Sequence, residues 1–316
     1  MMNAMRIAHI SDLHLSALHK RVNIRNTKRL LDYIRHQRVD HVVLTGDIVA
    51  NAEKAEFALA RKILDAHGLL DPGRASVVIG NHDVFGGVHF AEEIFSFPRR
   101  CRETKYERMV GEFREQFHEL FEGCDFASEE DPFPYVKSLG DLLLIGINSV
   151  AEFSLVRNPV GSNGAVDDLQ LQKLDRLLSS LRTPHAHRVL LIHHHFNKFR
   201  QKADGTMHGV WRTFENQTTK LRRKKEIMKF LRKHGVRTVL HGHLHESMEY
   251  IRKGIRFFNA GGSILGPDPD VLQVNIVQFS PAGVSAHRHV IPAPDLDRQG
   301  EVLRARAGDL ASHRAA

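Results

Sequence analysis

The chain has almost no cysteine: Cys101 and Cys124 are the only two in 316 residues, and no CxxC pair exists. A disulfide scaffold is excluded, since a chain this long buries enough core to need no staple. Reduced thiols in a cytoplasm are the expectation. Long apolar runs are missing too. Leu142 to Ile147 is the longest, far short of the roughly 18 residues that a membrane span requires. The opening Met1-Met2-Asn3-Ala4-Met5-Arg6 runs straight into an apolar segment, without the core or cleavage site of a signal peptide. The chain therefore reads as cytosolic, with membrane contact restricted to its periphery. Aromatics amount to 7%, and they do not alternate with basic residues in the way that stacks nucleic-acid bases. Repeats and low-complexity linkers are absent.

What is present is positive charge. The net charge of +8 favours anionic partners: phosphate esters, nucleic acid or acidic lipid surfaces. Two segments concentrate it. One, between Phe85 and Pro134, carries Arg99, Arg100, Arg102, Lys105 and Arg108, followed by Met109, Phe113, Phe117, Leu120 and Phe121 at helical spacing. It reads as an inserted helical cap over residues 85–134 and not as a link in a sheet, with its phenylalanines packed on the core. Its basic flank is a candidate for contact with an anionic substrate or membrane surface, weighed against an ordinary solvated face. The other is a basic helix over 220–233, after a long polar loop with Trp211. From Asp295 a charged, Ala-rich tail follows the main domain, which spans 5–290.

Short apolar strands alternate with amphipathic helices through the first half. Strands are expected at Arg6–Ile10, Val42–Leu44 and Val77–Ile79. Helices are expected from an Asn26-Thr27 cap through Ile34, and from about Ala52 to Ala66. Further strands fall at Leu142–Ile147, Val189–Ile192, Val236–Leu240, Phe257-Phe258 and Val271–Phe279, with a helix after Gly164. Successive strand-helix units specify a layered α/β domain with parallel neighbours.

The same event recurs at five strand ends. An apolar run stops, and polar side chains follow: Asp12 and His14, then Asp47, then Asn81 and His82, then His193, then His243 and His245. Each cluster alone is weak in a chain with 22 histidines, and Gly80-Asn81-His82-Asp83 alone would pass as a turn. Parallel strands, however, deliver their carboxyl ends to one edge of a sheet, so the side chains should converge into one metal site. Two carboxylates, an asparagine carbonyl and four imidazoles are oxygen and nitrogen donors with no thiolate. They exceed what one tetrahedral zinc needs, which points to a pair of Mn, Fe or Zn ions bridged by Asp47. Such a pair brings a shared water towards a neutral pKa and clamps phosphoryl oxygens for in-line attack. His82 is then left to protonate the departing oxygen, with Asp83 fixing its tautomer.

Asp12-Leu13-His14, Gly46-Asp47, Gly80-Asn81-His82-Asp83, His193-His194 and Gly242-His243-Leu244-His245 resemble the motif series of the calcineurin-like metallophosphoesterases, over about residues 5 to 280. The resemblance implies two mixed β-sheets sandwiched between helices, a four-layer α/β/β/α fold, with a dinuclear site at their edge. It assigns Asp12, His14, Asp47 and His245 to one metal. Asp47, Asn81, His193 and His243 go to the other, and His82 becomes the catalytic histidine. His193-His194-His195-Phe196 departs from the usual His-His-Pro or His-Gly, leaving His193 or His194 as the ligand; the first is chosen. His9 and His241 are taken as strand residues or supports of the ligands. The opening Arg6 to Leu15 is most similar to the bacterial cyclic-nucleotide phosphodiesterase branch, so the expected substrate is a nucleotide-type phosphodiester. The insertion and the basic helix argue for alternatives: a UDP-sugar or lipid-linked pyrophosphate hydrolase, or a nuclease. A metal-bearing interaction module without catalysis is disfavoured, because both His82 and Asp47 are kept.

Overall fold

A computed structural model describes residues 4–90, 92–126, 132–181, 187–197 and 220–293. Trp211 and the tail from Asp295 lie outside the described residues. Two mixed sheets stand back to back. The first has strand order β12-β11-β1-β2-β3, with β1 (Met5–Ile10), β2 (His41–Thr45) and β3 (Ala75–Val78) parallel, and β11 (Val271–Ser280) and β12 (Gly283–Pro292) antiparallel. The second has order β4-β5-β6-β7-β8-β10-β9. Its centre is a parallel run of β6 (Leu142–Gly146), β7 (His187–Leu191), β8 (Thr238–His241) and β10 (Ile255–Ala260). Antiparallel strands flank that run: β4 (Asp125–Phe126) and β5 (Tyr135–Leu139) on one side, β9 (Ser247–Arg252) on the other.

Alternation along the strands builds the layers. In β6, Leu142 and Leu144 join the large core shared with the first sheet, while Leu143 and Ile145 join a second core. In β7 the pair Val189 and Leu191 divides from Leu190 in the same way. That second core is closed by Leu174 and Leu178 of α6 (Asp168–Ser180) and by Ile227 and Leu231 of α7 (Lys224–Lys233). On the other flank, Leu30, Leu31 and Ile34 of α1 (Arg21–His36) and Phe57, Ile63 and Leu64 of α2 (Lys54–Asp65) cover the first sheet. The result is the expected four-layer α/β/β/α fold. Tyr135 crosses between the sheets, its hydroxyl donating to the Val77 carbonyl at 2.8 Å.

The strands at Arg6, Val42, Val77, Leu142, Val189 and Val271 fall where the apolar runs put them. α1 does not. It begins at Arg21, five residues before the expected Asn26-Thr27 cap, and both of those residues are buried inside it. β9 and β12 escape a hydropathy reading because they are edge strands with a single buried residue each. Between β3 and β5 come α3 (His82–Phe85), α4 (Glu93–Glu103) and α5 (Tyr106–Gln116), and a short 3-10 turn over His118–Phe121. Phe113 and Phe117 meet Phe57 edge-on, with ring centroids 6.3 and 6.0 Å apart, so the aromatic stripe is core packing. The segment also reaches the sheet, because β4 pairs with β5. The buried ammonium of Lys137 ties it down, donating to the carbonyls of Leu120 (2.7 Å), Pro72 (2.9 Å) and Ala75 (3.3 Å).

Candidate metal centre

All five strand ends converge. Asp12, His14 and His245 form one group with ligand atoms within 4.8 Å of one another, and Asp47, His193 and His243 form a second. A third, of His14, Asp47 and His82, joins them. Asp47 stands between: its Oδ2 lies 3.3 Å from His193 Nε2 and 3.8 Å from His14 Nε2. Asn81 Oδ1 and His243 Nδ1 each approach the same His193 Nε2 to 3.1 Å. His14 Nε2 faces His245 Nε2 at 3.1 Å, and Asp12 Oδ1 is 3.8 Å from the former and 3.7 Å from the latter. His245 is exposed and marks the mouth, while Asp12, His14, Asp47, Asn81, His193 and His243 are buried.

The backbone is bent to achieve this. Asp12 (φ 58°), His14 (φ 43°), Asp47 (φ 51°) and His243 (φ 72°) are all left-handed, a conformation costing a non-glycine residue about 1–2 kcal/mol. Such strain persists where surrounding contacts over-determine it. Here Asp12 N donates to the Gly46 carbonyl at 3.1 Å and His14 N to the Asp47 carbonyl at 2.9 Å. His243 N donates to Asp12 Oδ2 at 3.0 Å. Two motif glycines are required by space. A Cβ on Gly80 would overlap the backbone and carboxylate of Asp47, and one on Gly242 would overlap Ser11 Oγ and the Asp12 carboxylate.

Tautomers follow from carbonyl partners. His193 Nδ1 donates to the Thr45 carbonyl at 2.7 Å, which directs Nε2 into the cluster. His194 turns the other way, with its Nδ1 2.9 Å from Ser149 Oγ, and it is His193 that groups with Asp47 and His243. His9 and His241 are strand residues of β1 and β8: His9 Nε2 meets Thr45 Oγ1 at 2.9 Å and Tyr250 Oη lies 3.0 Å from His241 Nε2. His82 Nδ1 donates to the Ala50 carbonyl at 3.0 Å, and its own backbone N–H donates to Asp47 Oδ1 at 2.8 Å.

Asp83 needs correcting. Its carboxylate is buried and accepts from three backbone amides: Ile48 at 2.9 Å, Val49 at 3.0 Å and Gly80 at 2.9 Å. The expected bond to His82 is replaced by Ala50, because the side chain of Asp83 folds back under the turn to satisfy N–H groups that would otherwise be orphaned. Asn23 was not singled out from sequence, yet its Nδ2 donates to the Leu13 and His14 carbonyls at 3.0 and 3.2 Å and holds the first motif loop.

The charges in the cluster depend on one another. Burial alone would raise Asp47, but His193, His82 and His14 outweigh it and hold the carboxyl well below its ordinary value. Burial would lower His193, but Asp47 and Asp12 push it up to about 9. Burial and then His82 drive His14 well below the imidazole range, and burial with His194 does the same to His243. Asp12 rises to about 7 through burial, opposed by His193 and reinforced by Asp47. Its Oδ1 is a buried acceptor without a hydrogen-bond donor. Acceptors thus converge with too few protons to link them, and all are nitrogen or oxygen. That donor set fits hard or borderline divalent ions.

A doubly layered sheet with histidines and aspartates at the carboxyl ends of its parallel strands defines a class, and the comparisons name it. The chain belongs to the calcineurin-like phosphoesterase family, whose model matches residues 5–247. It is a phosphoesterase-family hydrolase with candidate His/Asp metal sites. Its fold is similar to that of a dimetal phosphatase from Danio rerio, with 14% identity, TM-score 0.55, and 92% of this chain and 99% of that one covered. A purple acid phosphatase from yellow lupin (Lupinus luteus) seeds is similar at 14% identity and TM-score 0.51, with 92% of this chain and 54% of that one covered. At such identity the likeness is one of fold. Comparison with curated protein sequences gives no match.

Proposed function

We propose that the chain is a dinuclear-metal phosphodiesterase acting on a nucleotide-type diester. One observation carries the reading: a single buried carboxylate, Asp47, stands between two groups of nitrogen and oxygen donors. In this assignment Asp12, His14, Asp47 and His245 hold one ion, and Asp47, Asn81, His193 and His243 hold the other. Two such ions, when bound, supply Lewis acidity to phosphoryl oxygens and bring a water's pKa towards neutrality.

The remaining chemistry belongs to the chain. Ala50 fixes His82 with Nδ1 tied back, which leaves its other ring nitrogen for the substrate. His14 packs edge-on against that ring at 4.4 Å between centroids and limits its rotation. As water attacks phosphorus in line and the bond to the leaving oxygen breaks, that oxygen takes a proton from the free ring nitrogen of His82, and the proton shed by the attacking water is returned through solvent to the ring. Manganese-loaded protein should hydrolyse bis-p-nitrophenyl phosphate faster than p-nitrophenyl phosphate, and cyclic AMP faster than single-stranded DNA or a UDP-sugar. Preference for the monoester would overturn the diesterase assignment. Preference for the UDP-sugar or for DNA would move the substrate to a pyrophosphate or a polynucleotide.

A further inference from the structure

Glu56 of α2 is buried and has no part in the chemistry assigned to the site. Its carboxylate accepts from the Asn51 backbone N–H at 2.6 Å and from Asn51 Nδ2 at 3.4 Å. With Nδ2 engaged there, Asn51 turns its Oδ1 the opposite way. That oxygen accepts from His89 Nε2 at 2.8 Å and lies 3.5 Å from Gly87 N. One side chain on the turn after β2 thus holds the segment that leaves α3. The inserted helix α4 holds the same segment from its other side. Arg100 donates to the Gly87 carbonyl, and Glu93 accepts from His89 N at 2.8 Å. His19, on the loop from β1 to α1, stacks on the His89 ring with 4.5 Å between centroids and 5° between planes.

Gly87 is what this frame presents to the metal centre. A Cβ on it would stand 2.3 Å from His82 Cε1 and 2.7 Å from His82 Nδ1. The bare backbone of Gly87 therefore lies against the ring edge that binds the Ala50 carbonyl. Gly86 makes the bend that brings it there: its φ is 72°, and a Cβ on it would meet the Asn51 backbone at 2.9 Å. His14 stands edge-on to the same ring, 4.4 Å away between centroids. The Ala50 bond alone would let the His82 ring swing, at the cost of one hydrogen bond. A backbone wall on the bonded edge removes that freedom, and it does so only while the segment that carries it is itself held.

We propose that Asn51 and Gly87 are positioning residues for the proton transfer: Asn51 sets the 86–89 segment, and Gly87 keeps the His82 ring from turning off the Ala50 carbonyl. The inference rests on His82 as the proton donor of the proposed reaction, and it gives the first helix of the inserted segment a part in the site. The ring itself supplies the first test. In the zinc-loaded full chain carrying 15N-histidine, the His82 Nδ1–H resonance is the one that His82→Ala removes. Its exchange with solvent should be about tenfold faster in Asn51→Ala than in the wild type. On bis-p-nitrophenyl phosphate, Asn51→Ala should lower kcat about tenfold with KM and metal content unchanged, and should lower it no further in the His82→Ala background. The double variant Asn51→Asp, Glu56→Gln exchanges carboxylate and amide between the two positions, so an oxygen again faces His89, and both the exchange rate and kcat should recover. Gly87→Ala should lower kcat while metal stays bound. An exchange rate unchanged in Asn51→Ala overturns the proposal, as does an equal loss of kcat in the His82→Ala background or a wild type with no resolved His82 Nδ1–H. Absence of diester turnover in the wild type counts against the diesterase reading alone, because the exchange rates decide the positioning without it.

Discussion

Two buried aspartates at neighbouring strand ends make an instructive pair. Asp47 follows β2 and Asp83 follows β3, both are sealed from water, and the carboxyls come from the same kind of Gly-containing turn. Asp47 accepts one backbone N–H, that of His82 at 2.8 Å, and its other oxygen faces imidazoles: His193 at 3.3 Å and His14 at 3.8 Å. Asp83 is surrounded by the amides of Ile48, Val49 and Gly80, which already satisfy it. Burial and the charge of Asp47 push Asp83 up to about 7, against the pull of those amides, whereas histidines hold Asp47 well below the usual carboxylate range. A buried carboxylate by itself does not mark a catalytic group. What marks it is whether its neighbours leave lone pairs facing one another.

The largest expected effect breaks the pair on the Asp47 side. Asp47→Asn keeps the volume but removes the shared charge, so metal content by elemental analysis and bis-p-nitrophenyl phosphate turnover should fall together. Normal metal content in that variant would contradict the bridging assignment. Next comes His82→Ala, which should keep its metal and lose about 10²–10⁴-fold in kcat. Unchanged turnover would remove His82 from the proton transfer. Asp83→Asn sharpens the contrast. Its amide nitrogen cannot accept, so one buried backbone N–H loses its partner at a cost of about 1–3 kcal/mol, read as a lower urea midpoint. Metal content should be retained and kcat should fall far less than in His82→Ala. A loss in kcat equal to that of His82→Ala, with unchanged stability, would return Asp83 to a role through His82.

Most of the candidate centre was legible because strand ends are written locally: an apolar run stops and polar groups follow, with a glycine between them at Gly46, Gly80 and Gly242. Parallel pairing of β1, β2 and β3 then makes their convergence unavoidable. What was not legible is what the backbone does. The carbonyls of Thr45 and Ala50 orient His193 and His82, yet any residue type carries a carbonyl. The misreading of Asp83 has that origin, since sequence adjacency suggested a side-chain partner where a main-chain one serves. The start of α1 is a different failure. Asn23, Asn26, Thr27, Leu30, Leu31 and Ile34 are its buried residues, spaced by three and four, so the helical period was present in the chain. Polar identity concealed it, and with it the role of Asn23 beneath His14.

A third carboxylate completes the series at the water-facing end and carries the smallest expected effect. Glu119, in the 3-10 turn after α5, takes a paired bond from Arg61 of α2, with Nη2 to Oε1 at 2.6 Å and Nη1 to Oε2 at 2.8 Å. The hydrogen bond from Arg61 holds the Glu119 carboxyl down at about 2, from an ordinary value of 4.5. Because the folded pKa is the depressed one, the pair stabilises fully above pH 4.5 and loses its contribution as pH falls towards 2. Solvent reaches both side chains, which limits the pair to about 0.5–1 kcal/mol. Glu119→Gln should therefore lower the urea midpoint slightly at pH 7, and the gap from wild type should close as the solution is acidified. Neither metal content nor turnover should change. A gap that stays constant with pH would mean that the bond works through packing of the 3-10 turn and not through charge. The rule drawn from the two aspartates, that partners and not burial set a carboxylate's role, would then stop at the surface.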